Sequence, residues 1–324
     1  MRGPARAGPG GGADVNAPGR VAILADVHGN LAALEAVVED VRAVDADRVI
    51  VNGDMVNRGP DGVAVLERLD ALAWPMTLGN HDDLMRMWVT RDPALPPAWF
   101  DHPYWRATQW CAERLHAAGW LPRLTALPMT LTVAAEGADT VLVSHGSPRH
   151  YREGYGELLD DATLGDIVRT VEAEVLVGSH THRPLLRRFG RRTFLNSGAV
   201  GTPFNADPRA QYLVLHRDGR RWRPEFRRVS YDRHAAFRAF HDSGYLDEGG
   251  PSARIFLLEL ATAQSLLVPY QAWAARRDLP EGPDSWTAYV QAHPERFVAP
   301  DPAGAELLDR IGGPPQVEPP EGQA

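Results

Sequence analysis

Apolar and polar positions alternate along this chain in blocks. Residues 20–25 form a short apolar run that stops abruptly at Asp26-Val27-His28-Gly29-Asn30, the pattern of a buried strand running into a loop. Leu31, Leu34, Val37, Val38 and Val41 then recur at helical spacing as far as Val44, with Asn30 placed to cap the helix rather than to touch a ligand. The unit repeats: residues 48–52 read as a strand, 53–62 as a polar loop and 63–72 as an apolar-periodic helix. A third strand at 75–78 runs straight into Gly79-Asn80-His81-Asp82. Such alternation predicts an α/β architecture with a parallel or mixed sheet.

Residues 91–127 are rich in Trp and Pro and read as an irregular helical excursion, a packed insertion in preference to a lid. Strands return at 129–133 and 140–143, the second ending in Ser144-His145-Gly146. A helix at 160–171 leads to a strand at 175–177 and then to Gly178-Ser179-His180-Thr181-His182-Arg183-Pro184. Short strands at 185–189, 192–195, 212–216 and 222–229, with turns at Gly190 and Asp218-Gly219, read as a second, more antiparallel sheet. From Tyr231 the pattern becomes helical and Pro-punctuated. The expected organisation is a disordered tail at 1–19, a main domain at 20–230, a helical C-terminal extension packed on the core at 231–311 and a disordered tail at 312–324.

Composition narrows the function classes. A net charge of −8 and a pI near 5.8 argue against a protein that blankets a nucleic-acid backbone or an anionic membrane. Every fixed cation is arginine, whose planar fork suits phosphate. The single cysteine, Cys111, excludes an intramolecular disulfide and a cysteine-rich zinc site, and is expected to be a free core thiol. No apolar run is long enough to span a bilayer and residues 1–19 lack the apolar stretch of a signal peptide, so a soluble, cytoplasmic protein is expected.

The chemistry lies in five loops, each at the end of an expected strand. They present Asp26 and His28, Asp54, Asn80 and His81, His145, and His180 and His182. Ligands gather at the carboxyl ends of strands in open α/β sheets, so all five loops can converge on one crevice. Carboxylate, imidazole and amide oxygen are the ligand types that a two-cation site requires. Alternate residues such as His180 and His182 can point the same way from an extended loop.

In this order the motifs Asp26-Val27-His28, Gly53-Asp54, Gly79-Asn80-His81-Asp82, His145 in Ser-His-Gly, and His180-Thr181-His182 resemble those of the calcineurin-like metallophosphoesterase superfamily. The segment Leu195-Asn196-Ser197-Gly198-Ala199-Val200-Gly201 is similar to one in its compact bacterial members. The resemblance implies a four-layer α/β-β/α sandwich over residues 20–229. It also implies two divalent metal ions, one held by Asp26, His28 and His182, the other by Asn80, His145 and His180, with Asp54 between them. Mn²⁺ is the working choice, while Fe, Zn²⁺ and Ni²⁺ suit the same ligand types.

It further implies metal-activated hydroxide attack on a phosphodiester or phosphomonoester of a small, nucleotide-like substrate. His81 then stands as general acid or electrostatic stabiliser. Arg58 is a candidate phosphate clamp, with a solvated loop arginine as the alternative. Asn57 occupies the place where protein phosphatases carry an aspartate; a neutral amide can accept a hydrogen bond there but stabilises imidazolium less. Ser179, where the family often has Gly, is read as inert. Other readings are a protein Ser/Thr phosphatase or dinucleoside-polyphosphate hydrolase, and a non-catalytic interaction scaffold on the same fold. The sequence leaves the oligomeric state open.

Overall fold

A computed structural model describes residues 18–311, so most of both expected tails lies outside the described residues. Two five-stranded sheets stack face to face. The first has the order β10-β9-β1-β2-β3, from Arg221–Val229, Ala210–Asp218, Arg20–Leu24, Arg48–Asn52 and Met76–Thr77. The second has the order β4-β5-β6-β8-β7, from Thr130–Val133, Val141–Ser144, Val175–Gly178, Arg192–Asn196 and Leu185–Phe189.

Strands β1, β2 and β3 run parallel, as do β5, β6 and β8, while β9, β10, β4 and β7 join antiparallel. Period-two alternation assigns the faces. Val21 and Ile23 of β1 enter the core between the sheets with Val143, Val177 and Leu215, whereas Ala22 and Leu24 face the helical layer. Leu164 and Ile167 of helix α6 (Asp161–Val168, numbered in chain order) cover the outer face of the second sheet with Leu176 and Phe194. The result is the expected four-layer sandwich.

Helices α1 (Leu31–Val44) and α2 (Gly62–Leu72) form where the apolar periodicity places them. Asn30 caps α1, its Oδ1 accepting from the Ala33 amide at 3.1 Å. Helix α3 (Asn80–Val89) follows β3 directly, and the excursion supplies α4 (Arg106–Ala117) and α5 (Leu121–Thr125). Tyr104, Trp110, Cys111 and Leu115 are buried in the main core, so this segment is a packed insertion. Burial also pushes the Cys111 thiol up to about 12. Helices α7 (Arg233–Asp242), α8 (Tyr245–Glu248), α9 (Gly250–Thr262), α10 (Leu267–Ala275), α11 (Pro283–Ala292) and α12 (Pro302–Arg310) complete the chain, with Phe256, Leu260 and Trp273 in that same core.

One expectation is corrected. The strands after residue 184 do not form a sheet of their own. β7 and β8 extend the second sheet, whereas β9 crosses back to pair with β1 and brings β10 with it. An apolar strand shows that it is buried, not which neighbour completes its hydrogen bonds.

Candidate metal centre

The parallel strands all end on the same side, and their loops interlock. Asp26 N–H donates to Gly53 O, His28 N–H to Asp54 O and Gly29 N–H to Met55 O, at 3.0–3.1 Å. The close approach excludes side chains: a Cβ on Gly79 would lie 2.2 Å from the Asp54 carboxylate. The backbone is also held in an unusual form, since Asp26, His28, Asp54, His180 and His182 all have φ between 49° and 66°. Left-handed conformations of non-glycine residues cluster where function demands a particular side-chain direction.

Each carboxylate is anchored by one oxygen and leaves the other bare. Asp54 Oδ1 accepts from the His81 amide at 2.7 Å, and Asp26 Oδ2 from the His180 amide at 3.2 Å. Asp26 Oδ1, Asp54 Oδ2, Asn80 Oδ1 and His145 Nε2 are buried with no hydrogen-bond partner. His145 Nε2 stands 3.1 Å from Asp54 Oδ2 without a hydrogen bond's geometry, and His28 Nε2 faces His182 Nε2 at 3.2 Å.

The imidazoles are oriented from behind. His28 Nδ1 meets Val56 O at 3.2 Å, His145 Nδ1 meets Asn52 O at 2.8 Å and His182 Nδ1 meets Thr202 O at 2.6 Å. A ring that donates Nδ1–H to a carbonyl presents a bare Nε2 lone pair, as a metal ligand must.

Potential ligand atoms fall into groups lying within 4.8 Å of one another: Asp26, His28 and His182; Asp54, His145 and His180; and His28, Asp54 and His81. His28 and Asp54 each belong to two of them, and of these Asp54, a carboxylate, is the type of ligand that two cations share. Burial holds His28 and His182 well below the usual imidazole range and His180 at about 4, leaving them neutral. Burial likewise raises Asp26, partly offset by His145. For His145 burial pulls down, but the Asp54 and Asp26 carboxylates outweigh it and bring the ring to about 10. Three bare oxygens, together with a His145 ring that would release its Nε2 proton to a cation, fit a pair of divalent cations beside the neutral imidazoles, because buried acceptors of this kind need compensation.

His81 differs from the other rings. Asn57 Oδ1 accepts from the Arg58 amide at 2.9 Å, which leaves Asn57 Nδ2 to donate to His81 Nδ1 at 2.8 Å. Asn57 is therefore a donor here rather than the acceptor expected, and His81 carries its proton on Nε2. Burial, with Arg58 and the neighbouring histidines, pushes His81 down to about 3 against the pull of Asp54.

Arg58 is not a solvated loop arginine. It is buried, its Nη1 pairs with Glu259 of α9 at 2.5 Å, and its guanidinium lies 5.5 Å and 5.1 Å from the ring centres of Phe204 and Phe256. Glu259 Oε1 in turn accepts from the Leu266 and Leu267 amides at 2.8 and 3.0 Å, where α10 begins.

Three further supports carried no weight in the sequence. Asp82 accepts from the amides of Asp54, Met55 and Gly79 at 2.7–2.9 Å and so holds the loop of Asp54; its place directly after His81 was the available signal. Burial, then the Asp54 charge, raises Asp82 to about 7. Asn52 donates to Ser144 O and Ser179 Oγ, both at 2.9 Å, tying the two sheets together under the site. Ser179 Oγ also meets Ser197 Oγ at 2.9 Å, so this serine is wired into the support and not inert.

Comparison with known proteins agrees with this geometry. The sequence profile of calcineurin-like phosphoesterases matches residues 19–184. An uncharacterized protein of Methanocaldococcus jannaschii, MJ0912, is 25% identical over 223 residues, covering 65% of this chain and 88% of that protein. A symmetrical bis(5'-nucleosyl)-tetraphosphatase of Coxiella burnetii is 29% identical over 138 residues, which is 42% of this chain and only 45% of that enzyme. The crystal structure of a metallophosphoesterase from Sphaerobacter thermophilus superimposes with a TM-score of 0.58 at 27% identity, covering 76% of this chain and 99% of that one. Among the described residues no helix is long and apolar enough to cross a membrane. Motif order, strand-end geometry and the profile match converge, and the chain belongs to the calcineurin-like phosphoesterase family.

Proposed function

We propose that the protein is a dinuclear metal-dependent phosphoesterase acting on a phosphodiester or phosphomonoester of a small, nucleotide-like molecule. The observation that carries this reading is the set of four buried, unpartnered atoms, Asp26 Oδ1, Asp54 Oδ2, Asn80 Oδ1 and His145 Nε2, converging from four of the five loops. Asp26, His28 and His182 would hold one cation, Asn80, His145 and His180 the other, and Asp54 both; Mn²⁺ is the working choice. Bound divalent cations supply Lewis acidity toward the phosphoryl oxygens and lower the pKa of water.

The chain's own residues do the rest. Asp82, Asn52 and Ser179 keep the ligand loops in register, and the Nδ1–carbonyl bonds of His28, His145 and His182 keep their Nε2 atoms aimed inward. His81, neutral with its proton on Nε2, acts as a hydrogen-bond donor to the phosphoryl or leaving oxygen. A neutral imidazole stabilises developing negative charge without surrendering its proton, so of the two roles expected for His81 this one is favoured. Arg58 lines the cavity beside the centre and adds positive charge for the substrate phosphate.

A second reading, hydrolysis of a dinucleoside polyphosphate, draws support from the tetraphosphatase similarity. Protein-phosphatase chemistry is disfavoured by Asn57, which cannot stabilise an imidazolium while donating to it. The deciding experiment strips the protein of metal, restores Mn²⁺, Fe²⁺, Zn²⁺ or Ni²⁺ one at a time, and follows bis-aryl phosphate, aryl monoester, cyclic nucleotide, dinucleoside polyphosphate and phosphopeptide. Hydrolysis of a small ester that returns with about two metal equivalents supports the proposal. Metal binding without hydrolysis of any of them would instead favour a scaffold.

A further inference from the structure

Two cavities meet at the metal centre. One, of about 730 Å³, is lined by Asp54, His182, Phe204 and Pro184. The other, of about 300 Å³, is lined by Asn57, Asn80, Trp99, Trp105, Phe256 and Gln271. Arg58, His81, His180 and Val268 line both, so these residues form the partition between them. A phosphate at the candidate metal ligands would sit where two chambers join, and the smaller chamber has a character of its own.

Its wall is a stack of indoles. Trp99 lies on Trp105 with ring centres 3.8 Å apart and planes at 17°, and Trp105 lies on the buried Trp88 at 5.9 Å and 23°. Such a stack is rigid before any ligand arrives. The opposite wall comes from α10, which carries Val268 and Gln271, and the position of α10 is fixed from the metal loop itself. Glu259 binds the Leu266 and Leu267 amides with one oxygen and Arg58 with the other. Thr108 and Arg152 add polar groups to the lining. A volume of about 300 Å³ is at the small end for ligand sites and suits one ring system rather than a peptide.

We infer that the chamber between the 97–108 segment and α10 is a binding subsite for one planar aromatic arm of the substrate, of the nucleobase class. The inference rests on the phosphoesterase reading and deepens it: a flat apolar wall with polar groups nearby binds a ring by stacking, largely without regard to which base it is. The arm is held beside Asn57, His81 and Arg58, and the phosphate reaches the metal ligands from it. The remainder of the substrate occupies the wider cavity. α9 and α10 lie beyond the residues that match the family profile, whereas the indole wall lies within them.

The test compares adenosine 5'-phosphate with ribose 5-phosphate, which carries the same phosphate and no base. Both are titrated into the Mn²⁺-loaded full chain by calorimetry and used as inhibitors of aryl-ester hydrolysis. The nucleotide is expected to bind about tenfold tighter. Trp99→Leu should remove most of that advantage, as should Gln271→Trp, which fills the chamber without disturbing the indole stack. Ribose 5-phosphate should bind both variants within about twofold of the parent, showing that the fold and metal centre are intact. Equal affinity for the two ligands in the parent protein, or an undiminished advantage in Gln271→Trp, overturns the subsite while leaving the phosphoesterase reading standing. Failure of both ligands to bind, with no ester hydrolysis, overturns that reading and the subsite with it.

Discussion

Two buried clusters of charge lie side by side in this protein and have opposite character. At the metal centre, Asp26 and Asp54 each spend one oxygen on a backbone amide and leave the other bare. A short distance away, Glu259 has both oxygens engaged, one by Arg58 and one by two amides of α10. Both clusters are desolvated, and desolvated charge must be compensated. In the second both carboxylate oxygens are satisfied within the chain, whereas in the first each carboxylate keeps one oxygen without a partner. Counting bare oxygens separates carboxylates placed to take a cation from one that holds the fold.

The strongest way to break this contrast is at Asp54. Asp54→Asn is expected to lower kcat/KM on an aryl phosphodiester by about a thousandfold and to lower metal content, as chelation of the parent should. Retention of both metals and activity within tenfold would show that Asp54 is not shared between cations. The next largest effect is on stability. Glu259→Ala leaves Arg58 buried without its partner and should cost about 3–5 kcal/mol in denaturant unfolding. Glu259→Gln keeps an acceptor for the α10 amides but turns an amide nitrogen toward Arg58, and should lose less. If Glu259→Ala cost under about 1 kcal/mol, the second cluster would not be a structural one.

A finer test exchanges the polarity at His81. Asn57→Asp offers Nδ1 an acceptor, so the ring can carry two protons and release one. The dependence of kcat on leaving-group basicity should flatten, with about tenfold relative gain for alkyl over aryl esters and unchanged metal content. An unaltered slope would mean that Asn57 does not set the state of His81. The smallest expected effect lies away from the site, where Asp40 of α1 accepts from Arg227 of β10 at 2.7 and 2.9 Å and from Tyr212 at 2.6 Å. The bond to Arg227, assisted by Tyr212, holds the Asp40 carboxyl below the usual carboxylate range. Its stabilisation is fully present above the unfolded value of about 3.9 and is lost as pH falls through the lower folded value. Asp40→Asn should therefore lower stability by about 1 kcal/mol at pH 7, with the gap to the parent closing in strong acid.

Much of the fold could be read in advance because local pattern and global structure agree. The helix at Leu31–Val44 and its Asn30 cap follow from apolar spacing and one side-chain oxygen. The metal-facing loops follow from polar residues placed directly after apolar runs. What escaped reading depends on partners far away in the chain. Nothing local told β9 to leave the strands before it and pair with β1. Glu259 sits in a helix whose apolar residues simply signal burial, and its partner Arg58 is 201 positions distant. Asn57 had the right chemistry to accept from His81, but the next residue's amide claimed its oxygen and reversed the bond. Asp82 stood inside a motif, yet its three amide partners become visible only when the loop of Asp54 folds over it.

The left-handed backbone at the ligand positions has a consequence for anyone improving this protein. Asp26, His28, Asp54, His180 and His182 each hold a conformation that costs a non-glycine residue roughly 1 kcal/mol. In the absence of metal, glycine at any of them relieves that strain, and at Asp26 or Asp54 it removes an uncompensated polar group as well. A library selected for heat tolerance in chelating buffer would thus enrich variants that discard the candidate ligands one by one, and thermostability without metal in the selection would be gained by dismantling the candidate metal centre.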